Sequence, residues 1–95
     1  MFVITLSYLV GVEEIDEAMP AHREWLDAQY EDGVFLASGA QVPRKGGVIL
    51  AAGLPRLELE ARLSLDPFKQ KNLAAYEVVE FVPRAVKPGL EALQA

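Results

Sequence analysis

Apolar and polar residues alternate at the start of the chain with the period of two that is typical of a β-strand. Between Phe2 and Tyr8, one side of the predicted strand is apolar or aromatic throughout, and the other side holds Val3, Thr5 and Ser7. This second side carries no charge, which suggests that it too is covered in the folded protein. Gly11 ends the pattern.

After Gly11 the apolar positions return with the period of an α-helix. Glu13 and Glu14 suit the positive end of a helix dipole. One helix face collects these residues: Ile15, Ala18, Met19, His22, Trp25, Leu26 and Gln29. Pro20 either starts the main helix at its first turn or kinks a longer helix. Gly33 is expected to end the helix in the left-handed conformation.

Two further strands are predicted over Val34–Val42 and Val48–Ala52. Ser38 and Gly39 interrupt the first of them, and glycine within a strand predicts a bulge or a close backbone approach. Pro43–Gly47 forms a turn, so the pair makes a hairpin. The second strand is apolar throughout, which favours burial on both faces.

The stretch from Arg56 to Leu65 supports two interpretations. Its strict alternation predicts a strand, whereas its Leu, Glu, Ala and Arg content and the preceding Pro55 predict a helix. We favour the helix. Its buried stripe is expected to contain Leu54, Leu57, Ala61 and Leu65.

A last strand is predicted over Ala74–Val82, and a short helix is expected between Pro88 and Leu93. The resulting order β-α-β-β-α-β is the ferredoxin-like α+β arrangement, a four-stranded antiparallel sheet with two helices on one face. We expect one domain over residues 1–95. Because the other face of the sheet is predicted to be apolar, two copies packed face to face would form a homodimer.

The composition supports self-association and argues against several partners. Apolar residues make up 52% of the 95 positions, a surplus for so small a core. The net charge of −5 and the scattered basic residues argue against nucleic acid. No apolar run approaches the roughly 20 residues of a bilayer span, and the N-terminus lacks the features of a signal peptide. We therefore expect a cytoplasmic protein without a membrane partner.

His22 is the single histidine and the main candidate for chemistry. An imidazole exchanges protons near neutral pH, and a carboxylate on its other nitrogen would fix its tautomer. Asp66, which precedes Pro67, is the candidate carboxylate. The alternatives are structural: a core histidine hydrogen-bonded for packing, and an ordinary Asp-Pro turn.

Four further residues are candidate substrate contacts. Ser38 and Gly39 offer a hydroxyl and backbone N–H groups, although a bulge explains them as well. Phe68 would form a pocket wall, and Tyr8 would place a hydroxyl at the end of the first strand. One histidine and one aspartate are too few ligands for a metal, and neither a phosphate-binding loop nor a dinucleotide fingerprint is present, so we expect no metal and no cofactor.

Short motifs along the chain resemble the YciI-like (YCII-related) family of dimeric α+β barrel proteins. The motifs are Pro20-Ala21-His22, Gly33 with Leu36-Ala37-Ser38-Gly39, and Asp66-Pro67-Phe68 with Leu73. The resemblance implies a ferredoxin-like monomer, a homodimer, and an active site in which His22 and Asp66 lie together. It also implies chemistry on small molecules, with one branch acting as a dehydrochlorinase on ring-hydroxylated aromatics.

The chain departs from this family pattern at three places. Met19 stands where many members have an arginine, and Arg23 is predicted to lie on the wrong helix face to replace it. Asn72 replaces a usual glycine and can adopt the left-handed conformation. Arg84-Ala85 replaces a common aromatic residue, which is expected to change one wall of the pocket.

Two functions from different classes fit these observations. The first is an enzyme that moves protons on a small polar, aromatic or lactone-like molecule by proton transfer, isomerisation or elimination. His22 would be its acid or base, and Asp66 its orienting partner. The second is a non-catalytic module that binds a metabolite or serves dimerisation. The enzyme is favoured if His22 and Asp66 line an open cleft near the dimer interface, and it is excluded if His22 is sealed in the core.

Overall fold

The computed structural model describes residues 1–95 as a four-stranded sheet with helices on one face. The strands are β1 (Phe2–Tyr8), β2 (Phe35–Ala40), β3 (Gly46–Ala51) and β4 (Ala74–Glu80), and the helices are α1 (Val12–Glu31), α2 (Arg56–Leu63) and α3 (Pro67–Gln70). The spatial order is β2-β3-β1-β4 with every neighbouring pair antiparallel. This confirms the ferredoxin-like α+β prediction and the helical interpretation of the Arg56 segment. The short α3 was not anticipated.

One core fills the space between the sheet and the helices. Alternate residues of β1 enter it, because side chains of a strand point to opposite faces. The helices contribute Ile15, Ala18 and Trp25 from α1, Leu59 and Leu63 from α2, and Phe68 from α3. Since all of them join a single cluster, the helices share one face of the sheet.

Helix α1 is one element of 20 residues that contains Pro20, so the interpretation in which Pro20 starts the main helix is wrong. Pro20 is exposed, and water can solvate the carbonyl that loses its helical N–H partner. Gly33 has a φ of 76°, which confirms the left-handed residue after the helix. Asn72 has a φ of 58°, so asparagine does support the turn at that position.

The hairpin differs from its prediction in detail. The irregularity of β2 lies between Phe35 and Ala37, whereas Ser38 and Gly39 pair regularly with β3. The expected bulge at Ser38-Gly39 is therefore wrong. Strand β2 ends before Pro43, which has no backbone N–H for pairing with β3. The backbone N–H of Gln41 donates to the carbonyl oxygen of Gly46 at 2.9 Å and closes the hairpin.

The predicted buried stripe of α2 is also wrong. Leu59 and Leu63 are buried at 0% and 5% exposure, whereas Leu57 and Leu65 are 81% and 61% exposed. Leucines at every second position offer two helical stripes of similar hydrophobicity. Docking of the helix on the sheet selects between them.

The outer face of the sheet is less covered than its apolar sequence suggests. Val48 and Leu50 of β3 lie there and are only partly buried, and Val79 of β4, on the other side of β1, is 50% exposed. The predicted burial of β3 on both faces is therefore not reached within one chain. Strand β4 ends at Glu80, before the predicted Val82.

The C-terminal segment ends in a 3₁₀ turn at Glu91–Gln94, a shorter and later element than the helix expected after Pro88. No helix combines the length and apolarity needed to cross a bilayer.

Candidate active site

The N-terminus of α3 fixes the carboxylate of Asp66. Asp66 is the N-cap of this helix, Pro67 occupies its first turn, and Oδ1 of Asp66 accepts a hydrogen bond from the backbone N–H of Phe68 at 3.0 Å. Such a cap satisfies an N–H group that has no partner within the helix. Asp66 has no exposed surface. The Asp-Pro pair thus forms a helix cap, and it also holds a carboxylate inside the protein.

His22 meets this carboxylate from the buried face of α1. Its Nδ1 lies 2.7 Å from Oδ1 of Asp66, and the side chain of His22 is 9% exposed. The hydroxyl of Tyr76 donates to Oδ2 of the same carboxylate. Because the carboxylate is surrounded by donors, Nδ1 of neutral His22 carries the proton.

The other ring nitrogen of His22, Nε2, makes no hydrogen bond within the protein. Yet no buried side-chain nitrogen or oxygen is left without a partner. Nε2 is therefore not sealed in the core. In the tautomer with a protonated Nδ1, this accessible nitrogen carries a lone pair that can accept a proton.

Aromatic rings hold the imidazole in place. The ring of Phe68 lies parallel to it, and the ring of Trp25 lies 5.7 Å away, centroid to centroid. The indole N–H of Trp25 donates to the carbonyl oxygen of Arg62 at 3.0 Å, which anchors the indole on α2. The imidazole is thus fixed by its neighbours on α1 and α3.

Tyr76 joins the site although no sequence motif marks it as a site residue. Burial raises the pKa of its hydroxyl far above the ordinary value near 10, and the hydrogen bond to Asp66 and the charge of that carboxylate raise it further. Tyr76 therefore remains a donor at all physiological pH values. Tyr76 stands opposite Leu6 of β1 in the sheet, and its hydroxyl reaches Asp66 from that position.

A cavity of about 390 Å³ opens next to His22. Its volume lies in the range of small-molecule sites. All four residues predicted as substrate contacts line it together with His22: Tyr8, Ser38, Gly39 and Phe68. Asp66 is not part of the lining, so the expectation that both residues line the cleft holds for His22 alone, and Asp66 reaches the cavity only through the imidazole. The hydroxyl of Ser38 is engaged with that of Tyr30 at 2.6 Å.

Two arginines also line the cavity. Arg23 does so from α1, so the expectation that it lies on the wrong helix face is incorrect. It makes no ion pair with the protein. Arg44 comes from the hairpin, where its Nη2 lies 2.6 Å from Oδ1 of Asp16 and its guanidinium lies 6.0 Å from the ring centroid of Tyr8. The hydrogen bond to Asp16 raises the pKa of Arg44.

Arg84 and Ala85 are exposed and do not line the cavity, so their predicted effect on its wall is wrong. No three side chains of the types that ligate metals come together. A smaller cleft of about 230 Å³ is lined by Tyr76, Lys69 and Glu60, among others.

The fold and the site together define a ferredoxin-like α+β protein with a buried histidine–aspartate pair at the wall of a small-molecule-sized cavity. The chain belongs to the YCII-related domain family, whose family model matches residues 1–82. No protein of curated function matches the sequence.

Among solved structures, the chain is similar to a 5-chloro-2-hydroxyhydroquinone dehydrochlorinase from Burkholderia phenoliruptrix AC1100, in complex with 2,5-dihydroxybenzoquinone. The two structures align with a TM-score of 0.70 and 14% sequence identity, over 85% of this chain and 93% of the other. At this identity the likeness shows the shared fold.

Proposed function

We propose that this protein is an enzyme that transfers protons on a small molecule, with His22 as the acid–base group. The observation that carries the proposal is that the two ring nitrogens of His22 have different surroundings. Nδ1 is bound to the buried Asp66, and Nε2 is accessible at the wall of the cavity. This arrangement suits a general base, because one nitrogen is held in a fixed orientation and the other is open to a substrate proton.

The reaction is a proton transfer in two steps. Nε2 of His22 takes a proton from a C–H or O–H acid of the substrate, and the electron pair of the broken bond remains on the substrate. The negative charge of Asp66 stabilises the imidazolium that forms. In an isomerisation the same proton then returns to a different substrate atom. In an elimination the substrate's electron pair expels the leaving group as an anion, and the imidazolium afterwards releases its proton to water.

The cavity favours a ligand with an apolar body and an anionic oxygen. Met19, Leu26 and Ile49 supply apolar lining, while Arg23 and Arg44 supply two positive charges against the single negative charge of Asp16. A phenolate, enolate or carboxylate fits this arrangement, because guanidinium groups bind such oxygens with two parallel donors. The named ligand of the similar dehydrochlorinase, a hydroxylated quinone, belongs to this class.

The experiment that tests the proposal measures chloride release from 5-chloro-2-hydroxyhydroquinone by the wild type and by His22→Asn. The variant is expected to lose at least about 10²-fold in rate, the typical contribution of a positioned acid–base group. Circular dichroism checks that it remains folded. A His22→Asn protein that releases chloride as fast as the wild type would remove His22 from the mechanism.

The second candidate is a module that binds a small molecule without transforming it. It is favoured if 2,5-dihydroxybenzoquinone stabilises the protein against heat while no tested member of the class is turned over. The thermal shift and the chloride assay together separate binding from catalysis.

The partly exposed outer face of the sheet supports a homodimer. Val3, Val48, Leu50 and Val79 form an apolar surface there, which a second copy packed face to face would cover. Val48→Glu would place a charge in the centre of such an interface. We expect light scattering to report a dimer for the wild type and a monomer for this variant, whereas a monomeric wild type would contradict the dimer.

A further inference from the structure

We propose that Tyr76 is a positioning residue of the His22 site, whose hydroxyl holds the Asp66 carboxylate and thereby sets how strongly His22 binds a proton. Nothing in the sequence motifs points to it. The three side chains form a continuous hydrogen-bonded series from the small cleft to the cavity: Tyr76, Asp66 and His22.

The two carboxylate oxygens of Asp66 accept different numbers of hydrogen bonds. Oδ1 accepts from the backbone N–H of Phe68 and from Nδ1 of His22, at 3.0 and 2.7 Å. Oδ2 has a single partner, the hydroxyl of Tyr76. Since Asp66 is fully buried, bulk water does not donate a hydrogen bond to either oxygen. Tyr76 alone therefore stabilises the negative charge that resides on Oδ2.

Tyr76 is suited to this task by its anchoring. It stands in β4 opposite Leu6 of β1, so the sheet register determines where its ring lies. The ammonium nitrogen of Lys69 lies 5.2 Å from its ring centroid on the side of the small cleft. Its hydroxyl makes no other hydrogen bond within the protein. The raised pKa of the hydroxyl keeps it in the donating form.

The hydroxyl of Tyr76 changes how the negative charge is shared between the two oxygens of Asp66. A donor on Oδ2 draws negative charge away from Oδ1, the oxygen that faces His22. Without the hydroxyl, more charge rests on Oδ1, so the hydrogen bond from Nδ1 becomes stronger and the His22–Asp66 pair binds an additional proton more readily. Tyr76 thus limits the negative charge on the carboxylate oxygen that faces His22.

The test uses the fact that the chain has a single histidine. Its ring gives one set of NMR resonances, which report the Nδ1 proton without any substrate. In Tyr76→Phe we expect the Nδ1 proton resonance of His22 to move downfield relative to the wild type. In Asp66→Asn, where the charge is absent, we expect the same resonance to move upfield.

Tyr30→Phe is the matched control, because it also deletes a tyrosine hydroxyl that is hydrogen-bonded to a side chain, here Ser38. It should leave the His22 resonances unchanged. The other ionisable groups around the cavity are untouched by both tyrosine substitutions: Tyr8, Asp16, Arg23 and Arg44.

A second readout is kinetic, and this part rests on the proposed function. The acidic limb of the rate profile should move to higher pH in Tyr76→Phe by about one pH unit, the size expected for losing one hydrogen bond to a charged group. If the wild type has no activity, the NMR test still decides the role of Tyr76, and only the function proposed for His22 falls.

A Tyr76→Phe protein with an unchanged Nδ1 resonance would overturn the inference, even if its melting temperature fell. That result would mean that the hydroxyl supports the fold alone, or that a water molecule from the small cleft replaces it. A shifted resonance at unchanged melting temperature would support the inference most directly.

Discussion

The imidazole of His22 lies flat against the phenyl ring of Phe68, with 3.9 Å between ring centroids and 2° between ring planes. Phe68 is 2% exposed, and it directly follows the Asp-Pro pair that caps α3. The same helical turn therefore supplies the carboxylate that orients His22 through its Nδ1 and the ring that holds the imidazole plane. One short element positions the histidine in two ways.

Phe68→Ala should destabilise the protein by about 3–5 kcal/mol, the usual cost of truncating a buried phenylalanine to alanine. Loss of the stacked ring should also let the imidazole rotate, which would broaden the His22 resonances. Urea unfolding and NMR measure the two effects. Phe68→Leu is the milder comparison, because it keeps most of the volume while removing the flat surface. Sharp, unshifted His22 resonances in both variants would contradict the positioning role of Phe68.

Substitutions of Asp66 should separate stability from activity. Asp66→Ala deprives three buried donors of their acceptor and removes the cap of α3, so we expect a loss of about 3–5 kcal/mol in the free energy of unfolding. Asp66→Asn retains one oxygen acceptor and can offer its amide to the oxygen of Tyr76, so a loss of about 1–2 kcal/mol is expected.

The Asp66→Asn protein lacks the charge that stabilises the imidazolium. Its chloride release should therefore fall by about 10²-fold or more although it remains folded. Denaturation curves and the rate assay, measured on the same preparations, provide the comparison. Wild-type rates in Asp66→Asn would reduce Asp66 to a structural residue.

The ionisation of Tyr76 predicts an alkaline limit to stability. Its pKa is raised in the folded protein by burial first and by Asp66 second, whereas the unfolded chain loses this proton near pH 10. The stabilising contribution is therefore present in full below about pH 10. Above that value the unfolded state binds fewer protons, and stability falls with pH by up to about 1.4 kcal/mol per pH unit.

Tyr76→Phe removes this ionisation, so its free energy of unfolding should fall less steeply between pH 9.5 and pH 11. Urea unfolding across this range measures the slopes, and other groups cancel in the difference between wild type and variant. Tyr30→Phe keeps the Tyr76 hydroxyl and should retain the wild-type slope. Equal slopes in Tyr76→Phe and the wild type would contradict the assigned ionisation.

The cavity arginines should contribute to binding of an anionic ligand. We expect Arg23→Gln and Arg44→Gln each to weaken binding of 2,5-dihydroxybenzoquinone by about tenfold, the loss of one charged hydrogen bond. Calorimetry at two salt concentrations measures this, since charge-assisted binding weakens as salt rises. Arg56→Gln is the matched control, because Arg56 is exposed on α2 outside the cavity. Equal affinities in all three variants would argue against an anionic ligand.

Local patterns in the sequence determined much of the architecture. Period two in β1 and period 3.6 in α1 identified the buried sides of both elements, and Gly33 marked the turn between α1 and β2. These features depend on residues within one or two helical turns of each other. The same periodicity placed His22 on the inward face of its helix, where it is found.

Only the tertiary structure decided which distant groups meet. Alternating leucines could not specify the buried stripe of α2, because the choice of Leu59 and Leu63 depends on how the helix docks. Tyr76 reaches Asp66 through the register of β4 on β1, and Arg23 reaches the cavity through the shape of the space between α1 and the hairpin. Periodicity encodes the side on which a residue lies, whereas contacts across the chain require the packed arrangement of whole elements.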